Sequence, residues 1–149
     1  MLTEGSKAPD FRAKDDEGRY VELKRLLDIG KHVVLYFYPQ DDTPGCTSEA
    51  CEFRDQYRRF AEAGSIVVGV SLDDEKAHRA FRKKYALPFP LIMDEKGKIA
   101  EAYGVEVQKG RWAARETFVI SPDGRIKARF SKVTPRGHAE EVLRSISQE

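Results

Sequence analysis

Asparagine is absent from this 149-residue sequence, cysteine and methionine occur twice each, and tryptophan occurs once. Without asparagine there is no N-glycosylation acceptor. Two cysteines cannot form the disulfide framework of a small secreted protein, so the expected compartment is the reducing cytoplasm. No stretch approaches the roughly 20 apolar residues of a membrane-spanning helix, and the opening MLTEGSKAPDF has no apolar signal core; no membrane association is expected. An excess of one charge is missing too, because 26 Lys and Arg face 25 Asp and Glu. Nucleic-acid binders show a clustered basic surplus, so no nucleic-acid partner is expected either. With no repeat, linker or low-complexity segment, residues 1–149 are expected to form one domain, long enough to bury a core without staples.

What is present is an alternation of strand and helix signals. Phe11 to Ala13 and Arg19 to Leu23 read as a hairpin turned at Asp15 to Gly18, and Glu22 to Leu27 as a brief helix ended by Gly30. Val33 to Tyr38 is continuously apolar, as a strand buried on both faces requires. Thr43-Pro44 reads as a helix entry, threonine at the N-cap and proline at the first helical position. Cys46, Ala50, Phe53, Tyr57, Phe60 and Ala61 then recur at spacings of three and four, predicting one helix as far as Gly64. Ile66 to Val70 is a second buried strand. A helix follows from Ser71–Asp74 through Tyr85, with Ala77, Ala80, Phe81 and Tyr85 inward and an Arg82-Lys83-Lys84 run suited to its negative dipole end. Leu91 to Met93 reads as a short strand and Ile99 to Tyr103 as a turn or two of helix. Thr117 to Ile120 and Ile126 to Phe130 read as a hairpin around Pro122-Asp123-Gly124. Thr134-Pro135 should start a last helix with Val142, Leu143 and Ile146 on its core face. This order predicts an α/β fold, a mixed central sheet flanked by helices with an N-terminal β-hairpin extension.

In open α/β sheets ligands bind beyond the carboxyl ends of strands, which is where Pro39 to Gly45 falls. Cys46 follows in the first helical turn, where unpaired amide N–H groups and the positive dipole end favour an anion. Its thiol should therefore ionise readily and act as a nucleophile. A free cysteine is most often a small buried hydrophobe; the Thr-Pro-Gly lead-in and a second cysteine five residues on argue against that here. On an ideal helix Cys46 and Cys51 lie about 140° apart around the axis and roughly 8.5 Å apart, whereas a disulfide needs Cα atoms within about 7 Å. Any disulfide between them requires the first turns to unwind, coupling oxidation to local unfolding; inert packing is the alternative for Cys51. His32, His78 and His138 match no zinc spacing and are expected to be surface or satisfied residues, so no metal is expected.

Pro39-x-x-x-Thr43-x-x-Cys46 resembles the active-site motif of the peroxiredoxins, and YFYPQDDTPGCTSEACEFRD resembles their peroxiredoxin Q or bacterioferritin comigratory protein subfamily. The similarity runs from GSKAPDF to ARETFVISPDGRI. It implies a thioredoxin-like fold with extra N-terminal elements and a thiol-dependent peroxidase that uses no cofactor. On this resemblance Cys46 is the peroxidatic cysteine, oxidised to a sulfenic acid. Thr43 offers its hydroxyl to sulfur or peroxide, Pro39 shields the pocket, and Arg115 stabilises both the thiolate and the leaving oxygen. Arg111 is a rival for that last role, Glu49 a candidate to orient Arg115, and Trp112 a candidate neighbour of the pocket. Cys51 corresponds to the resolving cysteine, closing an intrachain disulfide. The implied partners are hydrogen peroxide, organic hydroperoxides, and thioredoxin or a similar dithiol reductant. No partner subunit is needed, so a monomer or weak homodimer is expected. Two other readings stay open: a disulfide-exchange oxidoreductase of the same fold, and a redox-switched holdase whose unwound helix binds a client.

Overall fold

The structure, a computed structural model, describes residues 2–147; residues 1, 148 and 149 of the expected domain lie outside the described residues. The chain opens with the expected hairpin, β1 (Arg12–Lys14) and β2 (Tyr20–Glu22), followed by α1 (Leu23–Asp28). Asp15 Oδ1 fixes the turn by accepting from the amides of Glu17 and Arg19. The central sheet then forms from β3 (His32–Phe37), β4 (Ser65–Ser71), β5 (Leu91–Met93), β8 (Glu116–Ile120) and β9 (Ile126–Phe130), in the order β5-β4-β3-β8-β9. The β3–β4 and β4–β5 pairs are parallel, the β3–β8 and β8–β9 pairs antiparallel, so the sheet is mixed as expected.

β3 shows why the sheet sits at the centre. Val33, Leu35 and Phe37 pack into one apolar layer with the N-terminal hairpin, α1 and α5 (Lys98–Ala102). Val34, Tyr36 and Tyr38 enter a second layer beneath α2 (Pro44–Asp55), α3 (Tyr57–Glu62), α4 (Glu75–Lys84) and α6 (His138–Ser147). All six side chains are essentially inaccessible, and each such burial is worth roughly 1.5–3 kcal/mol. Tyr36 reaches its place because its cross-strand neighbour is Gly69, where a Cβ would lie 3.0 Å from the tyrosine ring and 2.8 Å from Leu91. The ring then stacks on Phe53 of α2 at 4.7 Å.

Three expectations need correction, and one element was missed. The single helix expected from Thr43 to Gly64 breaks at Gln56, which leaves helical dihedrals (φ −100°, ψ 4°) while its side chain donates to Glu140 of α6. The last helix starts at His138 rather than at Thr134-Pro135, because Gly137 at φ 82° redirects the chain immediately before it. On α4 His78 and Phe81 are buried and Ala77 and Tyr85 half-buried, whereas Ala80 faces solvent. A small hairpin, β6 (Val107–Gln108) and β7 (Trp112–Ala113), was not expected; Lys109 and Gly110 both take positive φ in its tight turn. The basic run at the end of α4 is absorbed by neighbours, Arg82 pairing with Asp16 and Lys84 with Asp42.

Candidate active site

The loop Pro39 to Thr43 leaves the carboxyl end of β3 and is fixed before α2 begins. Asp41 accepts from Tyr38 Oη at 2.6 Å, faces His78 Nδ1 at 2.6 Å, and donates its amide to Asp73 at 2.9 Å. Asp42 sits in the left-handed region at φ 58° and is held by Lys84 Nζ (2.8 Å) and Tyr85 Oη (2.7 Å). Thr43 occupies the N-cap position with extended dihedrals, but its hydroxyl does not cap the helix as expected. It donates instead to the Gln40 carbonyl at 2.9 Å, which leaves its lone pairs free to accept. Pro39, Thr43 and Trp112, with Gln40, Gln108, Ala113 and Ala114, line a cavity of about 380 Å³.

Cys46 lies in the first turn of α2 and is 1% exposed. Arg115, at the entry to β8, donates from Nη2 to Cys46 Sγ at 3.4 Å and from Nη1 to Glu49 Oε1 at 2.7 Å. Gly45 makes this approach possible, since a Cβ there would lie 3.1 Å from Arg115 Nη2. Burial opposes the guanidinium charge, but Glu49 and Cys46 outweigh it and hold Arg115 protonated. Glu49 is wholly buried, and its Oε2 has no hydrogen-bond partner among the described residues. Burial pushes its carboxyl up to about 7 against the opposing pull of Arg115. Arg111, the rival, lies over the Trp112 ring at 5.4 Å on the surface.

Cys51 is a partly buried free thiol on the same unbroken helix as Cys46. The wound helix therefore keeps the two sulfurs at i, i+5 spacing. His78 and His138 are both buried and hydrogen-bonded, His138 to Thr117 and Glu141. Among the described residues, donor atoms of Asp41, Asp73 and His78 lie within 4.8 Å of one another. Sequence reasoning passed over Asp41 and took Gly45 only as part of the Thr-Pro-Gly lead-in. Their place inside the Pro39–Cys46 motif was the one available signal.

Residues 5–129, most of the chain, match one protein family, described as AhpC/TSA. The chain belongs to the AhpC/TSA family. It is similar to a putative peroxiredoxin bcp of Coxiella burnetii, 47% identical over 145 residues covering 93% of this chain and 95% of that protein. It is also similar to peroxiredoxin Bcp of Bacillus subtilis, 42% identical over 148 residues covering 95% and 93%. Among solved structures, peroxidoxin BcpB of Mycobacterium tuberculosis matches with TM-score 0.92 and 34% identity, over 99% of this chain and 97% of that one. The bacterioferritin comigratory protein of Xanthomonas campestris matches with TM-score 0.87 and 31% identity, over 99% and 96%. The fold is thus thioredoxin-like, and the protein is a thiol-dependent peroxidase of the peroxiredoxin kind. Such enzymes take peroxides as oxidants and a thioredoxin-type dithiol as reductant. No helix among the described residues is long and apolar enough to cross a membrane.

Proposed function

We propose that this chain, as one thioredoxin-like domain, reduces hydrogen peroxide and organic hydroperoxides through Cys46 and resolves the product through Cys51. The observation that carries the assignment is the Arg115 guanidinium bridging Cys46 Sγ and Glu49 at the start of α2. A cation and the positive end of a helix dipole thus face the sulfur, whose thiolate is the nucleophilic form. The Cys46 thiolate attacks one peroxide oxygen; the S–O bond forms as the O–O bond breaks, and sulfur loses two electrons. The other oxygen leaves as alkoxide or hydroxide and takes a proton to become alcohol or water. Arg115 faces the charge that shifts from sulfur to this oxygen, so its stabilisation grows toward the transition state. The Thr43 hydroxyl, its hydrogen committed to Gln40, can accept from the peroxide O–H. Pro39 walls the same cavity and limits water.

The sulfenic acid then condenses with the Cys51 thiol, releasing water and forming the Cys46–Cys51 disulfide. A dithiol donor such as thioredoxin exchanges with that disulfide, restoring both thiols and leaving oxidised. The sum is peroxide plus dithiol giving alcohol, water and donor disulfide. Because both cysteines lie on one helix, the cycle suits a monomer or weak homodimer, and the free thiols suit a reducing compartment such as the cytoplasm. The described alkyl peroxide reduction activity of the Xanthomonas campestris relative supports organic hydroperoxides as substrates.

A stopped-flow titration with hydrogen peroxide, reading Trp112 fluorescence and free thiols together, tests this directly. Two thiols should be lost per peroxide in the wild type, with sulfenic acid accumulating in Cys51→Ser and no peroxide consumed by Cys46→Ser. Peroxide turnover without Cys46 would overturn the assignment.

A further inference from the structure

We propose that His78 is a positioning residue: together with Asp41 it clamps the loop 39–43 onto α4 and so keeps α2 wound, and release of this clamp lets Cys46 reach Cys51. The proposal rests on the Cys46–Cys51 pairing proposed above.

His78 is fully buried on α4, far from the reacting sulfur in sequence, and both ring nitrogens are engaged. Nε2 lies 2.9 Å from the carbonyl of Ile92 on β5. A carbonyl only accepts, so Nε2 carries hydrogen. Nδ1 lies 2.6 Å from Asp41 Oδ2, a charge-assisted hydrogen-bond distance that requires a proton between the two atoms. Two ligands on one tetrahedral zinc, each about 2.1 Å from the metal, would instead lie roughly 3.4 Å apart. The Asp41, Asp73 and His78 group is therefore closed by a proton and by the bonds that the Ser71 hydroxyl and the Asp41 amide donate to Asp73.

The clamp acts on the segment that must move. Asp41 and Asp42 immediately precede Thr43 and α2, and Asp42, at φ 58°, is held by its bonds to Lys84 and Tyr85, a conformation that non-glycine residues adopt rarely. At its other end α2 is tied to α6, where Glu52 accepts from the Gly137 amide and Gln56 donates to Glu140. Unwinding for the disulfide begins between these anchors, at the Cys46 turn, and the loop must let go for Cys46 to travel.

The groups facing His78 are Asp41 from the loop, Tyr38 just after β3, whose ring centroid lies 6.5 Å away and whose hydroxyl bonds Asp41, Asp73 just after β4, and the Ile92 carbonyl. On α4 itself Glu75 and Arg79 pair with each other, and Arg82 turns to Asp16. Asp15, bridged to Ile92 through the backbone, points its carboxylate at the amides of Glu17 and Arg19. Burial opposes a charge on His78, but the bond and charge of Asp41 prevail and raise its pKa above the ordinary histidine value. The clamp is therefore intact below that elevated value and is lost as pH rises through it.

The test uses the full chain with Cys46→Ser and Cys51→Ser, so that no thiol titrates. Hydrogen exchange is followed for residues 44–55 and, as a reference, for α6, while NMR follows the His78 imidazole. Local opening of α2 should increase as His78 deprotonates. His78→Gln should raise that opening about tenfold or more on the acid side of the pH step, the factor expected for one charge-assisted hydrogen bond, and should abolish the step itself, with α6 unchanged. In the cysteine-containing protein the same change should favour disulfide over sulfinic acid by a similar factor. Equal loosening of α2 and α6 would make His78 mere core packing and overturn the proposal. Unchanged α2 protection, or a response to zinc or to chelator, would overturn it as well. Should His78→Gln not fold, the wild-type pH profile and the surface change Lys84→Met, which loosens Asp42, decide it: α2 opening indifferent to both overturns it. A chain that shows the clamp yet consumes no peroxide would instead refute the proposed function.

Discussion

Arg115 and Glu116 are neighbours at the head of β8, and each belongs to an arginine–glutamate pair, but the two pairs are built differently. Glu116 accepts from Arg129 Nε and Nη2 and from Ser131 Oγ, while Arg129 Nη1 donates to the Leu2 carbonyl. All three bonds fall on Glu116 Oε1, and both side chains keep about a tenth of their surface open to solvent. Arg115 gives one nitrogen to Glu49 and keeps the other for Cys46, and Glu49 retains a buried oxygen with no partner among the described residues. A pair whose remaining oxygen can reach solvent fixes structure at little cost; one that seals an unpartnered oxygen from water is costly in folding and worthwhile only where charge changes during a reaction. The contrast separates the site from the scaffold across a single peptide bond.

The severest way to break this contrast is to remove the atom that the open pair faces. Cys46→Ser should reduce peroxide consumption to background while leaving the Arg129 pair and the unfolding midpoint near wild type. Next in size are the two arginines. Arg115→Ala should slow sulfenic acid formation by about 10²–10³-fold, the usual cost of one electrostatic donor at a developing anion. Arg129→Ala should instead lower stability by about 3–5 kcal/mol, because it strands the Glu116 carboxylate, with the rate per folded molecule preserved. Comparable rate losses in both, measured by stopped flow alongside urea unfolding, would erase the distinction.

Gly45→Ala sharpens the comparison at a gentler level. Gly45 is helical and carries no positive φ, so alanine is favoured by up to about 1 kcal/mol in helix propensity. Its new Cβ, however, would press on the Arg115 guanidinium at 3.1 Å. Stability should hold or rise while the first step slows about tenfold, one factor of ten in rate being about 1.4 kcal/mol. An unchanged rate would show that Arg115 tolerates displacement and that its position is not finely set.

How much of this was legible in the sequence depends on range. Val33 to Tyr38 announced a strand buried on both sides because every residue in it is apolar, and the structure places alternate side chains in two layers. Cys46, Arg115 and Glu49 were nominated as a group, and they do meet. What escaped were features set by tertiary contact. The helix break at Gln56 answers to Glu140, more than eighty residues away, and carries no glycine or proline to mark it. Thr134-Pro135 has the composition of a helix start, but Pro135 packs beside Gly45 and the helix waits for His138. The β6–β7 turn uses Lys109-Gly110, with lysine where asparagine or aspartate would have signalled it. His78 and Asp41 are thirty-seven residues apart, so neither announced the other.

The smallest effect on rate is expected from Glu49→Gln, since the amide oxygen can still accept from Arg115; sulfenic acid formation should change less than about tenfold. Its signature lies in stability against pH. The Glu49 carboxyl is raised from 4.5 to about 7 by burial, so as pH climbs the unfolded chain ionises first. The stability that this raised value confers is fully present below pH 4.5 and lost as pH rises through about 7. That shift corresponds to a loss on the order of 3 kcal/mol. Glutamine cannot ionise, so the difference in unfolding free energy between wild type and Glu49→Gln should move by that amount across the window, in favour of the variant at the alkaline end. Subtracting the two curves removes the contributions of Asp73, Asp94 and His138, which are shared. Parallel curves would mean that Glu49 ionises as an ordinary carboxylate, that Arg115 satisfies it fully, and that the pair at the sulfur is no more open than the pair at Glu116.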